Sequence, residues 1–382
     1  MTIFASPTFL VYARPTRTKV PVEFLQDRAS VGASVPGFVY SLAKSTAAQA
    51  EDLSKALPAA TPVRLFSPDI DLLPHAKTPA RAVYGFTMTA NLPAIDHSAS
   101  KVAGWLQEIV LTQRDLGATA LITPTLPLET NHGETELLQM LDWATRARRT
   151  PGAEDAQFLT GLVLHREWLA KNKQRELLLN HLTDRPDGGF YIVVRWPAAK
   201  SNENIGDQAA REGVKELVEV LGGDDREILL GRMGLAGWPL MALGESAASA
   251  SAIPSHVLSD PVKFARKKGS PTITRVPLYL DRRFLSYVPF ERMSAINAIS
   301  GIVHCPCADC AALANGYNDR SAFRHYLTTL ADLRDQTTQN PNPRSYALRE
   351  AKTAQALISS NPTLALPTRT TAHLAVWESL LT

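Results

Sequence analysis

The chain is short of the features that assign a protein by composition alone. Among 382 residues there are three cysteines, an odd number and too few for the disulfide framework of a secreted scaffold. Neither sign of charge dominates: 40 Lys and Arg stand against 37 Asp and Glu, a formal +3. That balance excludes a generally basic surface that coats nucleic acid, while leaving room for a local phosphate-binding patch. No apolar run approaches the roughly 20 residues that cross a bilayer, and the opening MTIFASPTFLVYARP lacks the basic, apolar and cleavage segments of a secretory leader. The expectation is a cytoplasmic protein with no membrane partner. What is present is ordinary globular material, 45% hydrophobic and 20% charged, too apolar for general disorder and sufficient for one large core or two smaller ones.

Short runs that are apolar almost throughout alternate with longer stretches of helical spacing, the pattern of strands buried on both faces and joined by helices. The strand candidates are 8–13 (TFLVYA), 63–67, 82–88, 118–123, 158–165, 190–196, 227–233 and 274–280. Between them, stretches such as ETELLQMLDWATRARR and DQAAREGVKELVEVLGG have helical periodicity, the second stopped by Gly222 and Gly223. Eight strands joined by helices predict an α/β fold of the (β/α)8 TIM-barrel type, with an open doubly wound sheet as the alternative. Residues 255–274, rich in Ser, Pro and Lys, have the composition of a loop on the barrel rim. Beyond Cys310 the pattern is helical only, and this tail is too small to stand alone without something to fasten it. The expected division is a barrel over 1–304 and a zinc knuckle with a C-terminal helical subdomain over 305–382.

The fastening is predicted from the cysteines. Cys305, Cys307 and Cys310 form C-x-C-x-x-C in HCPCADC, and three thiols in so tight a knuckle can converge on one tetrahedral ion at Zn–S distances of about 2.3 Å. A fourth ligand is required, and His304, His325 and His373 are the candidates. His304 adjoins a ligand and would point away from it. His325 is preferred over His373 because it opens the helical stretch RHYLTTLADL, from which an imidazole can face back to the knuckle. Four protein ligands make the Zn2+ structural rather than catalytic.

A C-x-C-x-x-C knuckle followed by a helix-borne histidine resembles the zinc site of the tRNA-guanine transglycosylases. These are zinc-binding (β/α)8 barrels that exchange a guanine in nucleic acid for a 7-deazaguanine base. RRFLSYVPFERMSAINAISGIVHCPCADC is similar to the family's approach to the knuckle, especially in its archaeal branch. EILLGRMGLAGWPLMALGESAASAS is similar to its strand-Gly-x-Gly-x-Pro segment and the helix and strand after it, and GATALITPTLPLETNHGETELLQMLDWATRARR with FLTGLVLHRE to a further pair of its strand-helix units. The resemblance spans roughly residues 117 to 330, whereas the first 110 match poorly. Carried over residue by residue, the family's nucleophilic aspartate falls at Ser249, its base-contacting aspartate at Thr125 and its glutamine near Leu164 and His165. The resemblance therefore implies a diverged or non-catalytic relative, because a serine without an adjacent base is a weak nucleophile at neutral pH. Glu245 and Asp260 flank the first of these positions and Glu129 follows the second. The resemblance also implies tRNA or DNA as a partner and a homo- or hetero-dimer formed through the zinc region.

Other residues carry alternatives. His165, Arg166 and Glu167 follow the 158–165 strand at the barrel's carboxyl face, where a histidine serves as general acid or base and a loop histidine otherwise simply accepts a hydrogen bond. Asp69 and Asp71, near His75, share one side of an extended segment and could hold a cation or place an acid beside a base; loop capping in a Pro-rich turn is the plainer role. Arg195 and Arg232 end strands at the rim, where a guanidinium grips phosphate or carboxylate, or joins an ion pair. The RKKG run at 266–269, beside Arg282 and Arg283, is the local basic loop fitted to a nucleic-acid backbone. GRMGLAG at 231–237 matches no phosphate-loop spacing and is expected to pack a strand tightly to a helix. The functions in view are thus base modification, a small-molecule barrel enzyme using His165 and Glu167 or Asp69 and Asp71, and a binding or scaffold subunit.

Overall fold

The computed structural model describes residues 2–4, 8–43, 45–69, 99–196, 207–244, 246–250, 276–299, 305–366 and 368–382. The chain opens with β1 (Thr8–Ala13), α1 (Lys19–Ser30), β2 (Gly37–Ser41), α2 (Ala47–Ala56), β3 (Arg64–Ser67) and α3 (Ala99–Asp115). There follow β4 (Leu121–Ile122), β5 (Pro127–Leu128), α4 (Glu134–Arg148), β6 (Phe158–His165), α5 (Glu167–Ala170), α6 (Asn172–Thr183) and β7 (Gly189–Arg195). The barrel ends with α7 (Gln208–Gly223), β8 (Glu227–Gly231), α8 (Trp238–Met241) and β9 (Ser246–Ala250).

These strands pair in parallel in the order β3-β2-β1-β9-β8-β7-β6-β4, with β5 as a second short piece against β6. The two ends of the sheet nearly meet: the Thr119 amide donates to the Arg64 carbonyl at 2.9 Å, and the Arg64 amide donates to the Thr119 hydroxyl at 3.0 Å. The result is a nearly closed, eight-stranded parallel barrel with alternating helices, as the periodicity predicts.

Two apolar layers explain why the strands are apolar on both faces. Alternate residues such as Leu10, Tyr12, Val39, Leu65, Leu159 and Tyr191 fill the barrel interior, while Phe9, Val11, Phe38, Tyr40, Ile192 and Leu230 face the surrounding helices. Small residues make this possible. A Cβ on Gly231 would sit 2.6 Å from the Tyr191 ring, and one on Gly161 only 2.3 Å from the Thr123 carbonyl oxygen. The amino-terminal end is closed by Phe4, whose amide donates to Glu227 at 2.7 Å.

Strand membership departs from expectation at one end. The 274–280 run contributes no barrel strand among the described residues: Leu278–Asp281 is β10, paired antiparallel with β11 (Ser286–Pro289) in a separate two-stranded sheet. It is divided between two cores: Leu280 and Leu278 pack with the main core, whereas Tyr279 joins a small separate cluster. The barrel instead uses β2 and β9, the latter a Ser/Ala strand set between β1 and β8. The predicted 82–88 strand lies outside the described residues.

The remaining elements are α9 (Met293–Asn297), α10 (Ala308–Ala314), α11 (Asp319–Gln339), α12 (Pro343–Ser360), α13 (Thr368–Thr371) and α14 (His373–Leu381). The long helix α11 is shared between two cores. Phe323, Tyr326, Leu327, Leu330 and Leu333 join the main core, whereas Ala322 joins a small cluster of Tyr279, Phe284, Val288, Ile296 and Leu313. Its polar side is fixed to α1 through Arg324 to Asp27 at 2.6 Å and Asp335 to Arg28 at 2.8 Å. No helix among the described residues is long and apolar enough to cross a membrane.

Candidate metal centre and barrel mouth

Cys305, Cys307, Cys310 and His325 each bring a ligand atom to one place, all within 4.8 Å of one another. The local sequence dictates how. Cys307 caps the first turn of α10, its sulfur accepting the Cys310 amide at 3.3 Å, so the helix start folds two thiols together and an N–H favours the thiolate. His325 lies nearly two turns into α11 and is 1% exposed. Its Nδ1 faces the sulfurs of Cys307 and Cys310 at 3.3 Å each and of Cys305 at 3.9 Å. Tetrahedral donors 2.3 Å from a common ion are about 3.8 Å apart, so these spacings fit a metal between them.

The other imidazole nitrogen decides the tautomer. Nε2 lies 2.7 Å from the Leu280 carbonyl oxygen on β10; a carbonyl only accepts, so Nε2 carries the hydrogen and Nδ1 presents a lone pair to the sulfurs. This is how metal-binding histidines are held. Without an ion, burial opposes protonation of His325 but the hydrogen bonds to Cys305 and Cys307 outweigh it and push the group up to about 10, so a metal would take the place of the proton at Nδ1. Contacts from Cys307 and Cys310 hold the Cys305 thiol well below its ordinary range, while Cys305 and Cys307 push Cys310 up. The sulfurs and the imidazole of this cluster share protons in one place, and a metal ion would bind there by displacing them. Beside it, Arg324 reaches Asp309 of α10 at 3.3 Å as well as Asp27 of α1, so the knuckle, the shared helix and the barrel wall meet within one turn. His373 is elsewhere, with Nε2 2.9 Å from the Leu285 carbonyl and its ring against Trp377.

At the carboxyl end of the barrel the predicted residues fall into two groups. Asp69 follows β3 and Arg232 follows β8, and the two form a salt bridge with side chains 0% and 1% exposed. Asp69 also accepts from the Tyr12 hydroxyl at 2.6 Å and the Ser67 hydroxyl at 2.7 Å. Burial works to raise the Asp69 carboxyl, but Arg232 and these hydroxyls hold it below its ordinary value; burial pushes Tyr12 up to about 12. Both Asp69 and Arg232 adopt left-handed backbone, φ 44° and 59°, a conformation that surrounding structure must enforce.

The second group gathers on β6 and β7, where His165 and Arg195 are register partners. Arg195 is bound to Glu129, and the Trp168 indole N–H donates to the Glu129 carbonyl at 3.0 Å. His165 Nδ1 accepts the Glu167 amide at 3.3 Å, and burial, over the opposing pull of Glu167 and Glu129, lowers its affinity for a proton. Glu167 itself is turned to Lys171, and Arg166 to Asp207. The buried Thr125 hydroxyl donates to the Leu126 carbonyl at 3.1 Å. The Ser249 backbone pairs with Leu10. Arg282 is engaged with Glu350, and Arg283 with Asp281. Asp71, His75, Glu245, Asp260 and the 266–269 run lie outside the described residues.

No protein-family model and no curated protein matches the chain.

Sequence reasoning does not single out the Leu280 carbonyl, Tyr12 or the Arg195 partner role of Glu129. The first is a backbone atom with no residue signature. Tyr12 is one apolar-strand residue among six, and its partner Asp69 is 57 residues away. Glu129 is noted in the sequence only as following the second carried-over position, and its pairing with Arg195 shows only in space.

Proposed function

We propose that the chain is a zinc-stapled barrel of the tRNA-guanine transglycosylase kind that takes part in nucleic-acid base modification by binding rather than by exchanging a base. The Cys3His donor set suits Zn2+, since thiolate and imidazole ligands in tetrahedral array are typical of structural zinc. With every position filled by protein, the ion fastens β10 and α10 to α11 and leaves catalysis to the barrel. A three-thiol site belongs in a reducing compartment, so the proposal sets the protein in the cytoplasm. A homo- or hetero-dimer through the zinc region, and tRNA or DNA as the partner, follow from the resemblance.

The observation that carries the non-catalytic part is the engagement of the described mouth carboxylates. Asp69 is held by Arg232, Glu129 by Arg195, Glu167 by Lys171 and Asp207 by Arg166. Attack on a sugar anomeric carbon needs a carboxylate free to approach it, and a fully buried, triply hydrogen-bonded Asp69 is poorly placed for that. Incubating the zinc-loaded protein with radiolabelled guanine and tRNA or DNA tests the proposal: salt-dependent nucleic-acid binding without incorporation is expected. Incorporation overturns the non-catalytic part, and absence of binding overturns the nucleic-acid part.

A second reading has one observation in its favour. His165, Arg195 and Glu129 meet at the carboxyl face, and a histidine kept neutral beside a guanidinium is suited to proton transfer on a small carboxylate or phosphate substrate.

A further inference from the structure

One arginine at the barrel mouth belongs to neither of the groups described there and has no part in the function proposed above. Arg14 follows β1 where the inward series Leu10 and Tyr12 continues, and its guanidinium lies 6.0 Å from the centre of the Tyr12 ring. Arg232 lies 5.6 Å from the centre of the same ring. Because β9 runs between β1 and β8, the two guanidinium groups approach one aromatic ring across the ends of three neighbouring strands.

Their charge is not balanced. Asp69 neutralises Arg232, whereas Arg14 has no carboxylate partner among the described residues, and its Nε is shut off from solvent without a hydrogen-bond acceptor. A buried donor aimed at no acceptor, on a group that cannot shed its charge, calls for an anion. The site also has the right address: β8 and β9 are the seventh and eighth barrel strands, and the ends of these strands are where (β/α)8 barrels frequently bind phosphate. A guanidinium presents paired N–H groups that match two phosphate oxygens.

We propose that Arg14 and Arg232, both set against the Tyr12 ring, form a phosphate-binding subsite at the barrel mouth. Asp69 keeps Arg232 in place and Arg14 supplies the unbalanced charge. The ligand is a phosphate group, either a monoester on a small molecule or a diester in a nucleic-acid backbone. The inference does not depend on the nucleic-acid reading, because free phosphate suffices to occupy the site.

The test is calorimetric titration of the full-length, zinc-loaded protein with inorganic phosphate, a 5′-mononucleotide and an oligonucleotide lacking terminal phosphates. The Arg14→Ala, Arg14→Lys and Arg17→Ala variants are titrated alongside. Arg17 is exposed and close in sequence, so it controls for net charge. Phosphate is expected to bind the unaltered protein; Arg14→Ala should weaken it about tenfold or more, Arg14→Lys less, and Arg17→Ala scarcely at all. Binding of phosphate and mononucleotide alone identifies a monoester ligand, and Arg14-dependent binding of the oligonucleotide identifies a backbone ligand. Phosphate binding without oligonucleotide binding counts against the nucleic-acid proposal and leaves this subsite standing. Absence of phosphate binding, an Arg14→Ala variant with normal affinity and a normal melting curve, or equal losses in the Arg14 and Arg17 variants would each overturn it.

Discussion

Replacing His325 and His373 separately with Ala distinguishes a metal ligand from a packed histidine. Both imidazoles are buried, and both offer Nε2 to a backbone carbonyl, Leu280 at 2.7 Å and Leu285 at 2.9 Å. Burial and hydrogen bonding alone therefore predict similar outcomes: each truncation leaves a cavity and a carbonyl without its donor, for about 2–4 kcal/mol. The difference lies at Nδ1, which in His325 faces three sulfurs. Disturbing a group that merely orients a metal ligand weakens binding about 10- to 100-fold, so removing the ligand itself should cost at least the upper figure. Under metal that saturates the unaltered protein, a 100-fold weaker site withdraws up to about 2.7 kcal/mol of stabilisation. The assay pairs metal content by atomic emission with denaturant unfolding in zinc and in chelator. For His373→Ala the metal content and the zinc-dependent gap in stability should stay at the level of the unaltered protein. For His325→Ala both should shrink, the gap by about 2.7 kcal/mol. A His325→Ala protein with full metal and unchanged affinity, or equal metal loss in both variants, refutes the coordination argued here.

Asp69→Ala should cost about 3–5 kcal/mol in denaturant melts, because it strands the buried Arg232 charge, and Asp69→Ala with Arg232→Met should recover most of that; simple addition of the two losses would dismiss the pair as a unit. Since the folded Asp69 carboxyl titrates below its ordinary value, its contribution is present above the unfolded value of about 3.9 and disappears as pH falls through the lower folded one. Asp69→Asn should flatten that part of the acid limb, and an unchanged acid limb would argue against it. Gly161→Ala drives a Cβ to 2.3 Å from the Thr123 carbonyl oxygen and should cost about 1–3 kcal/mol, whereas Gly104→Ala, on α3 with nothing within 4 Å of the added carbon, should stabilise by about 0.5–1 kcal/mol. Shifts of the same sign in both variants would show that close strand approach is not what Gly161 provides. Chelation should raise hydrogen exchange in β10 and α10 more than in β6, and uniform exchange would deny the metal a local role.

The strands that are legible in the sequence are those whose apolar character is continuous. TFLVYA and FLTGLVLH correspond to β1 and β6 with the same bounds, since both faces of these strands are buried and every residue reports it. β9 escapes the same reasoning, since Ser and Ala carry no β-branched or aromatic signal; the family resemblance implies a strand there, and the slot between β1 and β8 holds it. TRVPLYL shows the opposite failure. Val, Tyr and Leu mark it as extended, and it is extended from Leu278, but periodicity says nothing about which sheet an extended segment joins. The 118–123 run shortens to β4, Leu121–Ile122, and pairing with β6 resumes only in β5, Pro127–Leu128, beyond Pro124, which has no N–H to give to a ladder.

The candidate site follows the same division between local and distant information. Three cysteines in six residues announce a knuckle because the chain folds them together through the cap of one short helix. Nothing local announces Asp69 with Arg232, which are 163 residues apart and meet only when β3 and β8 take their places around the barrel. His325 stands between these cases. Its helix is visible in the sequence, but the orientation of its ring depends on the Leu280 carbonyl, 45 residues earlier, in a segment whose periodicity suggested the barrel. That misplacement has a physical consequence for the staple. Had 274–280 been a barrel strand, the ion would tie the tail to the barrel wall itself; instead the metal ties β10 and α10 to α11, and the connection to the barrel runs through Leu280 of β10, through Leu327 and Leu330 of α11 and through the Arg28 and Asp27 ion pairs. Metal loss should therefore loosen the small core first, while α11 remains docked on α1.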